Sequence, residues 1–299
     1  MTNIAPLSLS YDWNRDIAPQ LGNIVSVDGG FTTATRGIVE LRDGTKVFVK
    51  IADSELTEKW LKKEIIVYQK LTAARYPFIP ELLACKDDHT GMAITYLDGA
   101  NFENNWDKNK LDAVMDARSA LQQYKDLFIG HASFKSDNIV SHDLKWAHLL
   151  QPGNLDILNG KLTTLGSPIT FDTAQLHQFA EQQSGWRMRE DTLIHEDIRG
   201  DNFGYNPATG RGMLIDWNWL CIGDESLDAT SLFIDVYQSG LDPYSAYPGA
   251  FDRQMLMYLM SFWLDSILHG NEGANDREWR LRSAQARNMT ICYELLQRP

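Results

Sequence analysis

The arrangement of hydrophobic and polar positions changes about a third of the way along the chain. Up to about residue 100, short runs of β-branched and aromatic residues alternate with turn residues, a pattern that predicts strands. The runs 37–41 and 46–50 lie on either side of Asp43 and Gly44, and Asp-Gly between two such runs is a strong signal for a β-hairpin. The other runs that predict strands in this part are 24–27 and 92–97.

Helical periodicity first occurs between residues 54 and 73. At this spacing Leu61, Glu64, Ile65 and Tyr68 fall on one face of a helix, so a carboxylate is predicted among apolar side chains. Beyond residue 100 the pattern is mainly helical. The strongest candidate helices are 108–128, 172–184, 226–239, 250–269 and 275–297.

The order of these elements predicts an α+β fold with two lobes. Residues 1–97 are expected to form a small β-rich lobe and residues 98–299 a larger helical lobe, with the connection near 95–99. A strand-and-loop region at 191–217 interrupts the helices. The stretch from about 101 to 185 and the terminal helices are the expected place for a substrate pocket.

Composition excludes several classes of protein. The chain of 299 residues is 43% hydrophobic and 23% charged, which is typical of globular proteins and not of disordered, collagen-like or disulfide-stabilised ones. Its formal net charge of −12 has the wrong sign for binding nucleic acid or an anionic membrane surface. Three widely spaced cysteines, no signal-peptide pattern and no long apolar run predict a cytoplasmic protein with reduced thiols. No obligate protein partner is indicated.

A cluster of polar residues follows the predicted strand at 192–194. His195, Asp197 and Asn202 have the spacing H-x-D-x4-N, and Asp216 follows the next apolar strand, fourteen residues after Asn202. Carboxylate and amide oxygens at two strand ends can converge on a divalent cation such as Mg²⁺. The alternatives are an ordinary turn aspartate at 197 and a helix N-cap at 216.

A second candidate group lies near the start of the chain. Lys50 ends a predicted strand, and Glu64 lies fourteen residues later on the inward face of the next helix. A lysine held by an internal carboxylate is typical of sites that neutralise phosphate oxygens. Gly29 and Gly30 lie in a turn where phosphates could approach the backbone closely. The alternative for Lys50 and Glu64 is an edge-strand lysine and a solvent-facing glutamate.

Three segments together resemble a known family. The segments 193–203 and 213–229 are similar to the catalytic loop and the metal-binding strand of the aminoglycoside phosphotransferase and choline kinase-like family, and 96–99 is similar to its hinge. These small-molecule kinases share the two-lobed protein-kinase-like fold. The resemblance implies a small antiparallel N-terminal sheet with one helix, a larger helical C-terminal lobe, and a metal strand at 212–217.

The resemblance also implies roles for the residues of the catalytic loop. Asp197 is expected to accept or orient the proton of a substrate hydroxyl as it attacks the γ-phosphate of a nucleoside triphosphate. His195 is expected to support the loop. Arg199 is placed where a guanidinium could offset charge on the transferred phosphoryl group.

The nucleotide and its cation are assigned in the same way. Asn202 and Asp216 are expected to hold Mg²⁺, and Lys50 to bind the α- and β-phosphates of ATP or GTP while Glu64 positions Lys50. The backbone of a three-residue hinge is expected to contact the base; this hinge comprises Thr95, Tyr96 and Leu97.

Several positions depart from the patterns of kinases. Glu196 stands where the family most often has glycine, and its role is open. Trp217 follows Asp216 in place of Phe-Gly, and no Ala-Pro-Glu follows, which disfavours a protein substrate. The other histidines, His148 among them, show no ligand-like spacing and are expected to be ordinary surface or core residues.

The function implied is Mg²⁺-dependent transfer of the γ-phosphate of ATP or GTP to a hydroxyl group of a small molecule, such as an antibiotic, an amino alcohol or a sugar. Acidic residues in the helical part slightly favour a cationic acceptor; they are Glu103, Asp107, Glu272, Asp276 and Glu278. The alternatives are a catalytically silent nucleotide-binding or scaffold protein on the same fold, and a metal-dependent hydrolase.

Overall fold

The computed structural model describes residues 8–27, 33–134 and 142–298, with side chains from residue 145 onward in the last range. The chain divides into two compact units, each built from two segments. The sheet unit comprises Met1–Lys135 and Asp191–Ile222, and the helical unit comprises Ser136–Glu190 and Gly223–Pro299. The lobe boundary expected at residue 97 is placed by analogy with a kinase hinge, and it stays a prediction.

The sheet unit contains a five-stranded antiparallel sheet in the order β1-β2-β3-β5-β4. The predicted hairpin is present, because β2 and β3 pair with Glu40 opposite Lys46, and Gly44 has a φ of 85° in the turn. That left-handed conformation favours glycine. The strands are β1 (Val25–Ser26), β2 (Thr35–Glu40), β3 (Lys46–Ile51), β4 (Leu82–Cys85) and β5 (Gly91–Thr95).

Alternation along β3 determines which side chains enter the core. Val47 and Val49 are fully buried and pack against Trp13 and Ile17, which precede the sheet in the chain. Successive strand residues point to opposite faces, so Lys50 lies on the face opposite to these valines. Because β3 pairs with a strand on each side, Lys50 is on an internal strand.

Helix α1 (Glu55–Ala73) follows β3 directly. Ser54 and Thr57 form a capping box at its start, in which each side chain bonds to the backbone N–H of the other residue, so the first turn has satisfied donors. Its apolar face is buried, and Glu64 on that face is 1% exposed. The predicted phase of this helix is therefore confirmed.

Among the described residues, the rest of the sheet unit contains one further α-helix, several short 3-10 or π-helical turns and two small sheets. A 3-10 segment at 122–127 continues the helix predicted over 108–128. One small sheet pairs β6 with β9, and the other is an antiparallel hairpin of β7 and β8. The elements are α2 (Lys108–Leu121), β6 (Thr192–Ile194), β7 (Phe203–Asn206), β8 (Arg211–Leu214) and β9 (Cys221–Gly223).

The helical unit is built around α8, a helix with eleven buried residues. The four helices predicted in this unit are present, and each of their ends lies within three residues of the predicted end. Three helices were not predicted, α3, α4 and the four-residue α7. Helix α4 has a glycine in its interior and is preceded by Gly153 with no side-chain cap, so its local signal is weak. The helices are α3 (His142–Leu149), α4 (Asn154–Thr164), α5 (Thr173–Gln183), α6 (Glu225–Gln238), α7 (Pro243–Ala246), α8 (Arg253–His269) and α9 (Asp276–Leu296).

None of the helices in the described ranges combines the length and the apolar character that crossing a bilayer requires.

Candidate active site

A buried lysine bridges two carboxylates in the sheet unit. Lys50 Nζ lies 2.7 Å from Glu64 Oε2 on α1 and 2.7 Å from Oδ1 of Asp216, which lies two residues beyond β8. The side chains of Lys50 and Glu64 are 11% and 2% exposed. An internal strand and a buried carboxylate contradict the alternative of an edge lysine and a solvent-facing glutamate.

The charges of this group shift one another's pKa values. Burial lowers the pKa of Lys50, but attraction to Asp216 and Glu64 outweighs burial and raises it above the ordinary value. Burial raises the pKa of Glu64, with Lys50 opposing it. Burial also favours a raised pKa for Asp216, yet Lys50 outweighs it and holds this pKa below the ordinary value. Lys50 and Asp216 are therefore charged at neutral pH.

The segment 193–203 folds around Asp197. Asn202 Nδ2 donates to both the backbone oxygen and Oδ2 of Asp197, each at 2.9 Å. A guanidinium nitrogen of Arg199 lies 3.6 Å from Asp197 Oδ2, while its Nε lies 2.7 Å from Asp201. An amide and a guanidinium thus surround one carboxylate, which has 27% of its side-chain surface exposed.

The segment 193–203 and the residues directly after β8 are held together through Ile215. The backbone N–H of Ile215 donates to the oxygen of Asn202 at 3.0 Å, and His195 Nε2 lies 3.0 Å from the oxygen of Ile215. His195 is fully buried, and its ring packs 4.5 Å from that of Trp217. These contacts bury His195 beside Ile215 and Trp217, and its role in supporting the loop stays a prediction from the family resemblance.

The structure therefore brings together seven predicted residues that are spread over 167 positions of the chain. They are Lys50, Glu64, His195, Asp197, Arg199, Asn202 and Asp216.

Asp216 adopts a left-handed backbone conformation, with a φ of 64°. A short 3-10 turn, Trp217–Trp219, follows it, but the Asp216 side chain makes no capping hydrogen bond there. The N-cap alternative is thereby contradicted. Sequence reasoning missed Asn218, a buried neighbour; with its amide nitrogen facing Asp216 it donates to the backbone oxygen at 3.0 Å and to Oδ1 at 3.2 Å. Nothing in its sequence spacing distinguishes it.

Two groups of predicted residues add nothing to this geometry. Gly29 and Gly30 lie outside the described residues. The proposed hinge, Thr95 to Leu97, begins at the end of β5, where the Thr95 N–H donates to the oxygen of Glu81 at 3.0 Å. A contact of this backbone with a nucleotide base stays a prediction.

The partly buried setting of Asp197 changes its acidity. Burial raises its pKa to about 7, a shift that the nearby charge of Arg199 opposes and that of Asp216 supports. A carboxyl group with a pKa near neutrality can both accept and release a proton under physiological conditions.

We expect this raised pKa to make stability depend on pH. In the unfolded chain Asp197 loses its proton near its ordinary pKa of 3.8, whereas in the folded protein it keeps the proton until about pH 7. The contribution of this group to folding stability is therefore complete below pH 3.8 and declines as the pH rises to about 7. In EDTA and without nucleotide, Asp197→Asn should raise the free energy of unfolding at pH 8 by about 1–3 kcal/mol. The gain should be smaller at pH 5. Urea unfolding at both pH values measures it, and a gain that is larger at pH 5 would contradict the pKa.

The backbone of Glu196 adopts a left-handed conformation, which glycine adopts most easily. Glycine is the residue that the family resemblance leads one to expect at this position. The φ of Glu196 is 70°, a conformation that costs an L-residue with a side chain about 1–2 kcal/mol. Its carboxylate Oε2 accepts a hydrogen bond from Cys221 Sγ at 3.0 Å.

Two substitutions at Glu196 separate the backbone from the side chain. Both Glu196→Gly and Glu196→Ala remove the carboxylate, but only glycine relieves the left-handed strain. We expect the glycine variant to be more stable than the alanine variant by about 1 kcal/mol. Thermal and urea unfolding test this order; alanine being the more stable of the two would show that the strain is absent.

The sequence model described as the phosphotransferase enzyme family matches residues 26–253. The chain belongs to this family. A search of the curated proteins finds no match. Solved structures with a similar fold include choline kinase LicA from Streptococcus pneumoniae, with a TM-score of 0.54 and 14% identity over 89% of this chain and 93% of that one.

Two other similar structures contain bound nucleotides. Aminoglycoside phosphotransferase APH(2'')-Ib, ADP-bound, has a TM-score of 0.53 and 14% identity over 94% of this chain and 99% of that one. Amicoumacin kinase hAmiN, in complex with AMP-PNP, Ca²⁺ and Ami, has a TM-score of 0.54 and 10% identity over 91% and 88%. These similarities confirm the α+β kinase-like fold, and with the family they support a small-molecule phosphotransferase.

Proposed function

We propose that this phosphotransferase-family protein transfers the γ-phosphate of ATP or GTP to a hydroxyl group of a small molecule in a Mg²⁺-dependent reaction. The observation that supports this most directly is the convergence of Lys50, Asp197, Asn202 and Asp216 within the sheet unit. Phosphoryl transfer needs mainly positioning and charge neutralisation, and these residues supply a base, a fixed cation and oxygen ligands.

Asp197 is the proposed base. Its carboxylate is held by Asn202 and is partly exposed, so it can accept the proton of an acceptor hydroxyl while the hydroxyl oxygen attacks phosphorus. Its pKa of about 7 makes the ionised form available at neutral pH. Arg199, 3.6 Å away, provides positive charge beside the reacting groups and so can stabilise charge that develops on the phosphoryl oxygens.

The oxygen donors of the site suit a hard divalent cation. Asn202 uses its amide nitrogen to hold Asp197, so its oxygen is the atom that remains for a cation, and Asp216 contributes a carboxylate whose pKa is low. When bound, Mg²⁺ supplies charge neutralisation of the phosphate oxygens. Lys50, already charged and fixed by Glu64, is proposed to bind the α- and β-phosphates. The amicoumacin kinase structure with AMP-PNP and Ca²⁺ supports a nucleotide and a divalent cation in this fold.

The acceptor is proposed from the named neighbours, which include a choline kinase and an aminoglycoside phosphotransferase. Both names indicate small acceptors that carry hydroxyl groups and positive charge. The acidic residues expected to attract such an acceptor have local tasks as well: Asp107 caps α2, Glu272 pairs with Lys161, and Glu278 pairs with Arg282. The cationic acceptor therefore rests on the neighbours more than on these side chains.

A transfer assay tests the proposal. The full chain is incubated with ATP or GTP labelled at the γ-phosphate, with Mg²⁺ or with EDTA, and with a panel of aminoglycosides, macrolides, choline, amino alcohols and sugars. We expect label on at least one acceptor, only when Mg²⁺ is present. Binding of nucleotide with no transfer to any acceptor would instead support the catalytically silent alternative, and transfer that persists in EDTA would contradict the assigned cation.

A further inference from the structure

A cluster of metal-ligating side chains lies in the helical unit and forms no part of the proposed active site. His148 on α3 and two residues of α8, Asp265 and His269, each offer one ligand atom, and these atoms all lie within 4.8 Å of one another. His148 is exposed at the surface, as one of the two expectations for it has it, but it lies beside two other groups that can bind a metal. Sequence spacing could show only the Asp265–His269 pair, which is four residues apart on one helix face; His148 joins it through the packing of α3 on α8.

We propose that His148, Asp265 and His269 form a binding site for a first-row transition-metal ion, of which Zn²⁺ is the best fit. Two imidazoles and one carboxylate are a typical zinc ligand set that leaves a fourth position for water. Mg²⁺ prefers oxygen ligands, so this site and the proposed active site select different ions.

The two imidazoles converge on a single carboxylate oxygen. His269 Nδ1 lies 3.3 Å and His148 Nδ1 lies 3.5 Å from Asp265 Oδ1. His269 Nδ1 also lies 2.9 Å from the backbone oxygen of Asp265, a contact that a bound metal would replace. In a tetrahedral zinc site, bonds of about 2.0–2.1 Å place neighbouring ligand atoms roughly 3.3 Å apart. The side chains of His148 and His269 are 46% and 60% exposed, so small rotations of their rings can bring the ligand atoms to that separation.

Asp265 shows a second sign of a cation site. Its Oδ1 is buried and receives no hydrogen bond from any residue in the described part of the chain. A buried carboxylate oxygen without a donor costs free energy, and a bound cation would remove that cost.

The local surroundings hold the three ligands in place. Asn154 Nδ2, at the start of α4, donates to the backbone oxygen of His148 at 2.7 Å. Lys161 on the same helix binds the backbone oxygen of Gly270 and lies 3.3 Å from Glu272, which fixes the chain just beyond His269. His269 is also the last residue of α8, where the helix dipole favours a positive charge.

Lys145 is the nearby group that opposes a bound cation. It lies one turn before His148 on α3 and is 5% exposed, with its ammonium 4.0 Å from the centre of the Phe262 ring. Burial lowers the pKa of Lys145 to about 8, against the attraction of Asp265, so its charge is only partly retained in mildly alkaline solution.

Metal titration of the full chain tests the proposal. After treatment with EDTA and removal of the chelator, ZnCl2 is titrated calorimetrically in excess Mg²⁺, which occupies oxygen-rich sites. We expect one Zn²⁺ per chain and a rise in the melting temperature. CoCl2 in place of ZnCl2 should produce visible absorption of the intensity that a tetrahedral Co²⁺ site gives.

Variants assign the ligands. His148→Ala, Asp265→Asn and His269→Ala should each weaken Zn²⁺ binding by at least about tenfold and remove the Co²⁺ absorption. His177→Ala, which changes an exposed histidine on α5, is the matched control and should bind as the parent does. His269→Gln adds a less disruptive change at the same position. The proposal would be overturned if the parent chain bound no stoichiometric Zn²⁺, or if the His148 and His269 variants bound Zn²⁺ as tightly as the parent chain does.

Discussion

Asp197→Asn is expected to lower kcat for phosphate transfer by about 10²–10⁴-fold, while nucleotide affinity stays within about threefold of that of the parent chain. The substitution keeps the size of the side chain, and an amide oxygen can still accept the hydrogen bond that Asn202 donates to Oδ2. What is lost is the ability to take a proton from the acceptor. Steady-state kinetics with the acceptor found in the panel, together with calorimetric titration of a nucleotide analogue, separate the two effects.

Asp201→Asn is the matched control for this prediction. Asp201 lies in the same loop and pairs with Arg199 at 2.7 Å, but its side chain is 49% exposed. An exposed ion pair contributes at most about 1 kcal/mol, so its removal should change kcat by less than about sixfold. If both variants lost activity equally, the loop as a whole and not the Asp197 carboxylate would be required, and the assignment of the base would fail.

The strands and helices with strong local periodicity were predictable from the sequence. The β2–β3 hairpin and helix α1 follow from an Asp-Gly turn and a regular apolar face, and both are present. Strand β4 was missed because Leu82-Leu-Ala-Cys85 has neither alternation nor β-branched residues. Its place beside β5 is decided by tertiary packing, which no local pattern contains.

The candidate site shows the same division between local and distant information. The pairing of Lys50 with Glu64 follows from a strand end and a helix phase within fourteen residues, and the structure contains it. The contact of Lys50 with Asp216 spans 166 positions, so it could be expected only from the family resemblance. The left-handed conformation of Glu196 could not be predicted for a different reason. The sign of φ is set by the path of the loop after β6, and a glutamate in the sequence gives no signal for a left-handed residue.

Lys50→Met is expected to destabilise the protein by about 3–5 kcal/mol, in addition to abolishing phosphate transfer. Methionine fills similar space but leaves Glu64, which is 2% exposed, and Asp216 as two neighbouring carboxylates without their cation. A buried charge that loses its partner bears its full desolvation cost, unless it takes up a proton. The loss of stability should therefore be larger at pH 8 than at pH 5. Urea unfolding at the two pH values measures it.

The double variant Lys50→Met/Glu64→Gln distinguishes a buried charge from lost packing. Replacing Glu64 by a neutral isostere removes the unpaired charge, so the double variant should regain at least about half of the lost free energy of unfolding, yet remain inactive because the phosphate-binding cation is gone. Lys62→Met breaks a pair with Glu58 on the outer face of the same helix, where both side chains are more than 40% exposed, and should cost less than about 1 kcal/mol. A double variant no more stable than Lys50→Met would mean that the methionine is poorly packed and that the ion pair is not what stabilises this region.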